Sequence, residues 1–227
     1  MISKKVIVAL DSSNFDKSLS LVNTLKKDVY AFKIGYEFFL NFGLSGYKKI
    51  YSICPKIFLD LKLHDIPNTV QQGIKALSKI KPLFTTVHIS GGDKMMKSTN
   101  VFKKKTKILG VSILTSIDSN QSKKYYNQKN ISLLVKKFGS AAKKNNLDGI
   151  VCSPKEIKYI RKSLGKNFII ITPGIRVDHA IKKDDQERVE SPQKAIEMGA
   201  NYLVIGRPIT ETKDPLKVLK EINRAIN

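Results

Sequence analysis

Short runs of consecutive apolar residues recur along the chain, each followed by a longer stretch whose apolar positions keep helical spacing. The runs cover residues 6–10, 30–34, 57–63, 84–89, 108–114, 149–152, 168–172 and 202–205. They are rich in Val and Ile and barely interrupted by polar side chains, which suits parallel strands covered on both faces. Between them, segments such as 16–27, 67–81 and 215–226 read as amphipathic helices. Pro67 and Pro154 fit first-turn positions, where the missing N–H costs nothing. Eight strand–helix units predict a closed (β/α)8 TIM barrel, with residues 1–227 forming a single domain. An open doubly wound sheet is the rival, but no Gly-x-Gly-x-x-Gly follows the first strand. Two polar connections are long, 116–130 after the fifth strand and 174–191 after the seventh. Both fall where strands end, so both are candidates for a closing lid.

Composition narrows the class. A chain of 227 residues has the usual length for such a barrel. It contains no run of 18 apolar residues, so no membrane-spanning helix is expected. Its first residues lack the long apolar stretch and small-residue cleavage site of a signal peptide, and a cytoplasmic location is expected. The two cysteines, Cys54 and Cys152, have no Cys-x-x-Cys spacing and read as buried thiols. The 41 basic against 19 acidic residues leave a formal charge of +22. Most of that excess is lysine in scattered pairs such as Lys123-Lys124 and Lys143-Lys144. Aromatic residues do not interleave with them to make a stacking platform, so no specific nucleic-acid partner is expected. A positive field does attract an anionic small molecule.

The third strand, Ile57-Phe-Leu-Asp60-Leu-Lys62-Leu63, breaks the apolar rule twice. On a regular strand Asp60 and Lys62 share one face and the leucines take the other. In a barrel the leucines would meet the helices, and the two charges would enter the barrel near its C-terminal mouth. Pairing offsets the cost of burying them only in part. A structural ion pair is one reading, but charges at a barrel strand's exit more often belong to an active site. Asp11 closes the first strand and Lys33 lies in the second. Taken alone, Asp11 would be a helix cap and Lys33 a surface lysine. Together the three strands place alternating carboxylates and ammonium groups around one mouth, where each fixes the others' protonation state. A lysine so held suits proton donation.

A phosphate site is expected on the remaining arc. Ile171-Thr-Pro-Gly-Ile-Arg176 ends the seventh strand and Val204-Ile-Gly206-Arg207-Pro208 the eighth, the loops that commonly hold phosphate in such barrels. Glycine lets backbone N–H groups approach the oxygens, and arginine adds charged donors. The three histidines have no close spacing and make no metal site. His88 could shape the pocket or be an ordinary hydrogen-bonded barrel residue, and His179 reads as a loop residue. Gly91-Gly92 reads as the turn into the next helix.

These segments, in this order and over nearly the whole chain, resemble the orotidine 5′-phosphate decarboxylases of bacterial type. The resemblance is carried by Val8-Ala-Leu-Asp11, Phe32-Lys-Ile-Gly35 and Phe58-Leu-Asp-Leu-Lys-Leu-His-Asp-Ile-Pro-Asn-Thr69. It continues in Val87-His-Ile-Ser-Gly-Gly92, Leu114-Thr-Ser116, Asp148-Gly-Ile-Val-Cys-Ser153, Thr172-Pro-Gly-Ile-Arg176 and Val204-Ile-Gly-Arg-Pro-Ile-Thr210. It implies conversion of orotidine 5′-phosphate to uridine 5′-phosphate and carbon dioxide, the last step of UMP formation, without metal or organic cofactor. Lys62 would then protonate the pyrimidine carbon beside Asp60, Lys33 would link the ribose to the charged network, and Asp11 would bind ribose hydroxyls. The resemblance also implies a homodimer in which Asp65 and Thr69 serve the partner's site. Thr115 would contact the pyrimidine, and Arg176, Gly206 and Arg207 would hold the phosphate. Gln186 matches the family's phosphate-bridging glutamine, one residue farther from Arg176 than in relatives, which a one-residue bulge would absorb.

Two rivals remain. Magnesium-dependent sugar-phosphate decarboxylases and aldolases of the same superfamily share the Asp-x-Lys-x-x-Asp strand. They carry an acidic residue where this chain has Lys33. A binding-only protein would leave a costly charged mouth idle.

Overall fold

The computed structural model describes residues 4–176 and 190–227. Its eight strands are β1 (Val6–Ala9), β2 (Ala31–Ile34), β3 (Ile57–Leu63), β4 (Phe84–His88), β5 (Lys107–Val111), β6 (Gly149–Val151), β7 (Ile169–Thr172) and β8 (Tyr202–Ile205). Each pairs in parallel with the next, and β8 returns to β1, closing the barrel. The helices between them are α1 (Phe15–Leu25), α2 (Tyr36–Ile53), α3 (Pro67–Ile80), α4 (Gly92–Ser98), α5 (Ser119–Tyr126), α6 (Ile131–Lys144), α7 (Ile157–Leu164) and α8 (Pro192–Glu197). After β8 come α9 (Arg207–Thr210) and α10 (Pro215–Ala225).

All eight expected strands are present, because a run of Val and Ile long enough for one strand buries on both faces. Their alternation builds two apolar layers. Val6, Val8, Phe32, Ile34 and Leu59 face outward into the helices. Ile7, Ala31, Phe58, Phe84, Leu109 and Ile171 face inward and fill the barrel. Below them Tyr30 stacks on Tyr202 with ring centroids 4.0 Å apart, and Phe84 packs beside both. These rings form the barrel floor.

Helix starts follow local chemistry. Asn14, Asp118, Asn130, Ser191 and Asp214 each accept a backbone N–H of the helix they cap, satisfying donors that have no intrahelical partner. Pro67 takes the first-turn position of α3, and Pro154 that of a short 3₁₀ turn. α2 bends at Gly43, whose φ of 54° and ψ of −150° are open to glycine but strained for other residues.

Two expectations need adjusting. The fifth strand ends at Val111 rather than at residue 114. The long polar connection at 116–130 contains α5, which the apolar pattern does not reveal because Ser119-Asn-Gln-Ser-Lys-Lys is polar throughout; only its Asp118 cap is a signal. The connection after β7 falls mostly outside the described residues, as do Gln186 and His179. Its two ends are tied by hydrogen bonds from Arg176 N to Glu190 O, 2.9 Å, and from Glu190 N to Gly174 O, 3.1 Å.

Cys54 and Cys152 are both buried, and neither is in a disulfide. Among the described residues no helix is long and apolar enough to cross a membrane.

Gly149 is squeezed between β5 and β7. A Cβ there would collide with the Ile169 carbonyl oxygen, an atom of a neighbouring strand's backbone that cannot swing aside. We expect Gly149→Ala to lower unfolding free energy by about 1–3 kcal/mol, read as a lower urea midpoint with unchanged slope.

Candidate active site

Three inward positions on adjacent strands carry charge. Lys33 follows Ala31 along the inner face of β2, Asp60 follows Phe58 along that of β3, and Asp11 stands just past the end of β1. The Lys33 ammonium donates to both Asp11 carboxylate oxygens, at 3.0 and 3.2 Å. It also lies 3.9 Å from Asp60 Oδ2. The Lys62 ammonium donates to that same Oδ2 at 2.9 Å. The result is a chain of alternating charge, Asp11–Lys33–Asp60–Lys62. Asp11 is therefore not a helix cap, a role taken by Asn14, and Lys33 is no surface lysine.

Asp60 is buried. Burial alone would raise its carboxyl pKa, but the Lys33 and Lys62 ammonium groups, with hydrogen bonds from Lys62 and Thr86, hold it below the ordinary carboxylate value. The carboxylate stays ionised at neutral pH between two cations.

Strand β3 is not regular where the chemistry sits. Pairing with β4 runs Phe58↔Phe84 and Leu59↔Thr85, then resumes only at Leu63↔Val87. Four steps of β3 thus face two of β4, and within this bulge Lys62 has a φ of 43°. The simple alternation expected of Asp60 and Lys62 is replaced by a bulge, yet the two side chains still converge.

A cavity of about 690 Å³ opens at this mouth, a size in the range of small-molecule sites. Asp11, Lys33, Asp60, Lys62, Thr115, Gly206 and Arg207 all line it. Asp65 and Thr69 do not; they line a second cavity together with Tyr36, His64 and His88, and Lys62 borders both. Arg176 is not among the lining residues of either. Ile175 is buried and lines the first cavity, and Arg176 beside it is exposed, at the edge of the described residues.

Three residues that sequence reasoning passed over shape the site. Thr86, buried on β4, accepts the Lys62 backbone N–H at 2.9 Å and donates to Asp60 Oδ1 at 2.8 Å. Tyr36, at the start of α2, donates its hydroxyl to the Leu61 carbonyl at 2.8 Å, and the Lys62 ammonium lies 5.6 Å from its ring centroid. Burial and the nearby Asp60 charge raise the Tyr36 pKa, so the phenol keeps its proton. Gly35 is needed for space, since a Cβ there would come within 2.9 Å of Asp11 Oδ1 and 3.0 Å of Lys33 Nζ. Of the three, only Gly35 leaves a trace in the sequence, as the glycine ending Phe-Lys-Ile-Gly.

His88 stands behind Lys62, its ring centroid 5.2 Å from that of His64. Burial, His64 and Lys62 together depress its pKa below the ordinary 6.5, against a smaller opposing pull from Asp60. In the unfolded chain His88 takes up a proton as pH falls through about 6.5, while in the fold it stays neutral to lower pH. Its contribution to stability is therefore present above about pH 6.5 and is lost as pH falls toward the folded value. Calorimetry from about pH 7.5 to about pH 5.5 should show a falling melting temperature, and the fall should be smaller in His88→Asn.

Similarity to known proteins agrees with this geometry. Residues 4–222 match the orotidine 5′-phosphate decarboxylase / HUMPS family. A protein of Coxiella burnetii (strain RSA 493 / Nine Mile phase I) named orotidine 5′-phosphate decarboxylase is 38% identical over 98% of this chain and 96% of its own. One of the same name from Wolbachia sp. subsp. Brugia malayi (strain TRS) is 40% identical over 98% of this chain and 99% of its own. The crystal structure of orotidine 5′-phosphate decarboxylase from Lactobacillus acidophilus superposes with a TM-score of 0.85 at 36% identity, covering 99% of this chain and 100% of that one. With a closed barrel, a four-charge mouth and full-length similarity in agreement, the chain belongs to the orotidine 5′-phosphate decarboxylase / HUMPS family.

Proposed function

We propose that this protein is an orotidine 5′-phosphate decarboxylase, releasing carbon dioxide and forming uridine 5′-phosphate. The observation that carries the reading is the Asp11–Lys33–Asp60–Lys62 chain, which holds an ammonium group at fixed range in a cavity of nucleotide size.

The chemistry follows from where charge must go. Breaking the bond between the pyrimidine ring and its carboxylate leaves an electron pair on a ring carbon with no adjacent carbonyl to take it up. An ammonium fixed beside that carbon stabilises the pair as it forms and then supplies the proton. Lys62 fills this role. Asp60 orients Lys62 and stands beside the departing carboxylate, and Lys33 ties Asp60 to Asp11, which meets the ribose hydroxyls. Thr115 faces the pyrimidine, while Gly206 and Arg207 hold the phosphate with Arg176 and Gln186. Binding the phosphate far from the reacting carbon supplies energy for closing the site around the base.

The same reading includes a homodimer. Tyr36 (51% exposed), Leu40 (79%) and Ile66 (67%) present apolar surface to solvent. Tyr36 lines the second cavity together with Asp65 and Thr69, and Ile66 follows Asp65 in sequence. Exposed apolar groups beside polar ones suit a face covered by another subunit. A second copy docked there would bring its Asp65 and Thr69 to this chain's mouth.

Purified protein should decarboxylate orotidine 5′-phosphate in excess chelator, followed by the ultraviolet change as product forms; strict dependence on magnesium would favour the sugar-phosphate rival. Lys62→Ala should lower turnover by at least about a thousandfold with an unchanged circular dichroism spectrum, and near-normal activity would remove Lys62 from the mechanism. Leu40→Asp tests the dimer. Wild type should sediment as a dimer and the variant as a monomer with reduced turnover, whereas a monomeric, fully active wild type would refute the shared site.

A further inference from the structure

We infer that the Tyr36 and Thr86 hydroxyls are a two-sided clamp on the Leu61–Lys62 peptide, making both residues positioning residues for Lys62. The inference rests on the decarboxylase reading for its kinetic consequences, but the clamp itself is a matter of geometry.

In a regular parallel sheet the carbonyl of residue 61 and the N–H of residue 62 point to opposite sides and would bond to backbone groups of the two neighbouring strands. Leu61 and Lys62 lie past the last β2 partner, Ile34↔Leu59, and inside the break in β3–β4 pairing between Leu59 and Leu63. The two groups go to side chains from two different elements. Tyr36, on α2, donates to the Leu61 carbonyl at 2.8 Å; Thr86, on β4, accepts the Lys62 N–H at 2.9 Å. One peptide unit is thus held at both its polar ends. Lys62 itself has a φ of 43°, a conformation that side-chain-bearing residues seldom adopt unless their surroundings impose it.

Thr86 uses its hydroxyl twice. While accepting from the Lys62 backbone it donates to Asp60 Oδ1 at 2.8 Å, and Asp60 Oδ2 in turn accepts from the Lys62 ammonium at 2.9 Å. A closed circuit runs from the Lys62 backbone through Thr86 and Asp60 to the tip of the same lysine. The circuit fixes both ends of one flexible side chain. Valine has the shape of threonine but can neither accept nor donate, so it opens the circuit without emptying space. Serine keeps both bonds.

Thr85 provides the control. It is the adjacent residue, equally buried, and its hydroxyl donates to the Leu59 carbonyl at 2.9 Å without touching Lys62. Tyr36→Phe keeps the ring against the ammonium and removes only the hydroxyl.

Steady-state kinetics should show kcat reduced about a hundredfold in Thr86→Val and about tenfold in Tyr36→Phe, with KM changed less than about threefold. Thr86→Ser should recover most of the rate, and Thr85→Val should lower the melting temperature while leaving kcat within about twofold. Because both hydroxyls hold one peptide, Tyr36→Phe/Thr86→Val should fall about as far as Thr86→Val alone rather than by the product of the two losses. Rates within about threefold of wild type in both single variants would overturn the clamp, as would an equal loss in Thr85→Val. Crystal structures decide the geometry independently of the assay. Lys62 should leave the positive-φ region in Thr86→Val, and finding it unmoved would refute the proposal. A wild type inactive on orotidine 5′-phosphate would overturn the functional reading, and the crystallographic comparison would still decide the clamp.

Discussion

A carboxylate taken out of water at the exit of a barrel strand is unfavourable unless cations meet it on more than one side. Asp60 meets that condition with the Lys33 and Lys62 ammonium groups and the Thr86 hydroxyl. The rest of the site is arranged around that requirement. Lys33 can stand beside Asp60 only because Asp11 holds it from the other side and Gly35 leaves room above the pair. Lys62 can turn toward Asp60 only because the strand bulges and its displaced peptide finds other partners. The ion pairs contribute less to stability than to specifying one arrangement of charge, since desolvation opposes most of their attraction.

Much of this was legible in the residue order, for a physical reason. Buried strands are written in Val, Ile and Leu, so an aspartate and two lysines within them stand out against the pattern. The same contrast made the barrel legible, since eight apolar runs with helical segments between them admit few closed arrangements. Asp60, Lys62, Lys33, Asp11, Thr115, Gly206 and Arg207 do meet at one cavity.

What was not legible depends on contrast too. A threonine in a strand and a tyrosine at a helix start are ordinary, so neither Thr86 nor Tyr36 advertises its bond. Their importance arises from the interruption in β3–β4 pairing, which no periodicity in β3 announces. Arg176 is exposed at the edge of the described residues, beside Ile175 of the cavity lining, and Gln186 lies outside them. Helix α5 was missed because a polar helix on the surface has no apolar stripe to betray it.

The aromatic floor has a consequence for traffic. Tyr30, Tyr202 and Phe84 pack beneath Phe58 and Ile171, so the cavity is a well closed at its base. The part of a ligand that goes deepest enters first and must leave last. Whatever grips the rim therefore sets the exit time of everything beneath it, and a small product made at the bottom has to pass the larger one or wait for it. In such a well, turnover is governed by the order of departure as much as by the bond that breaks.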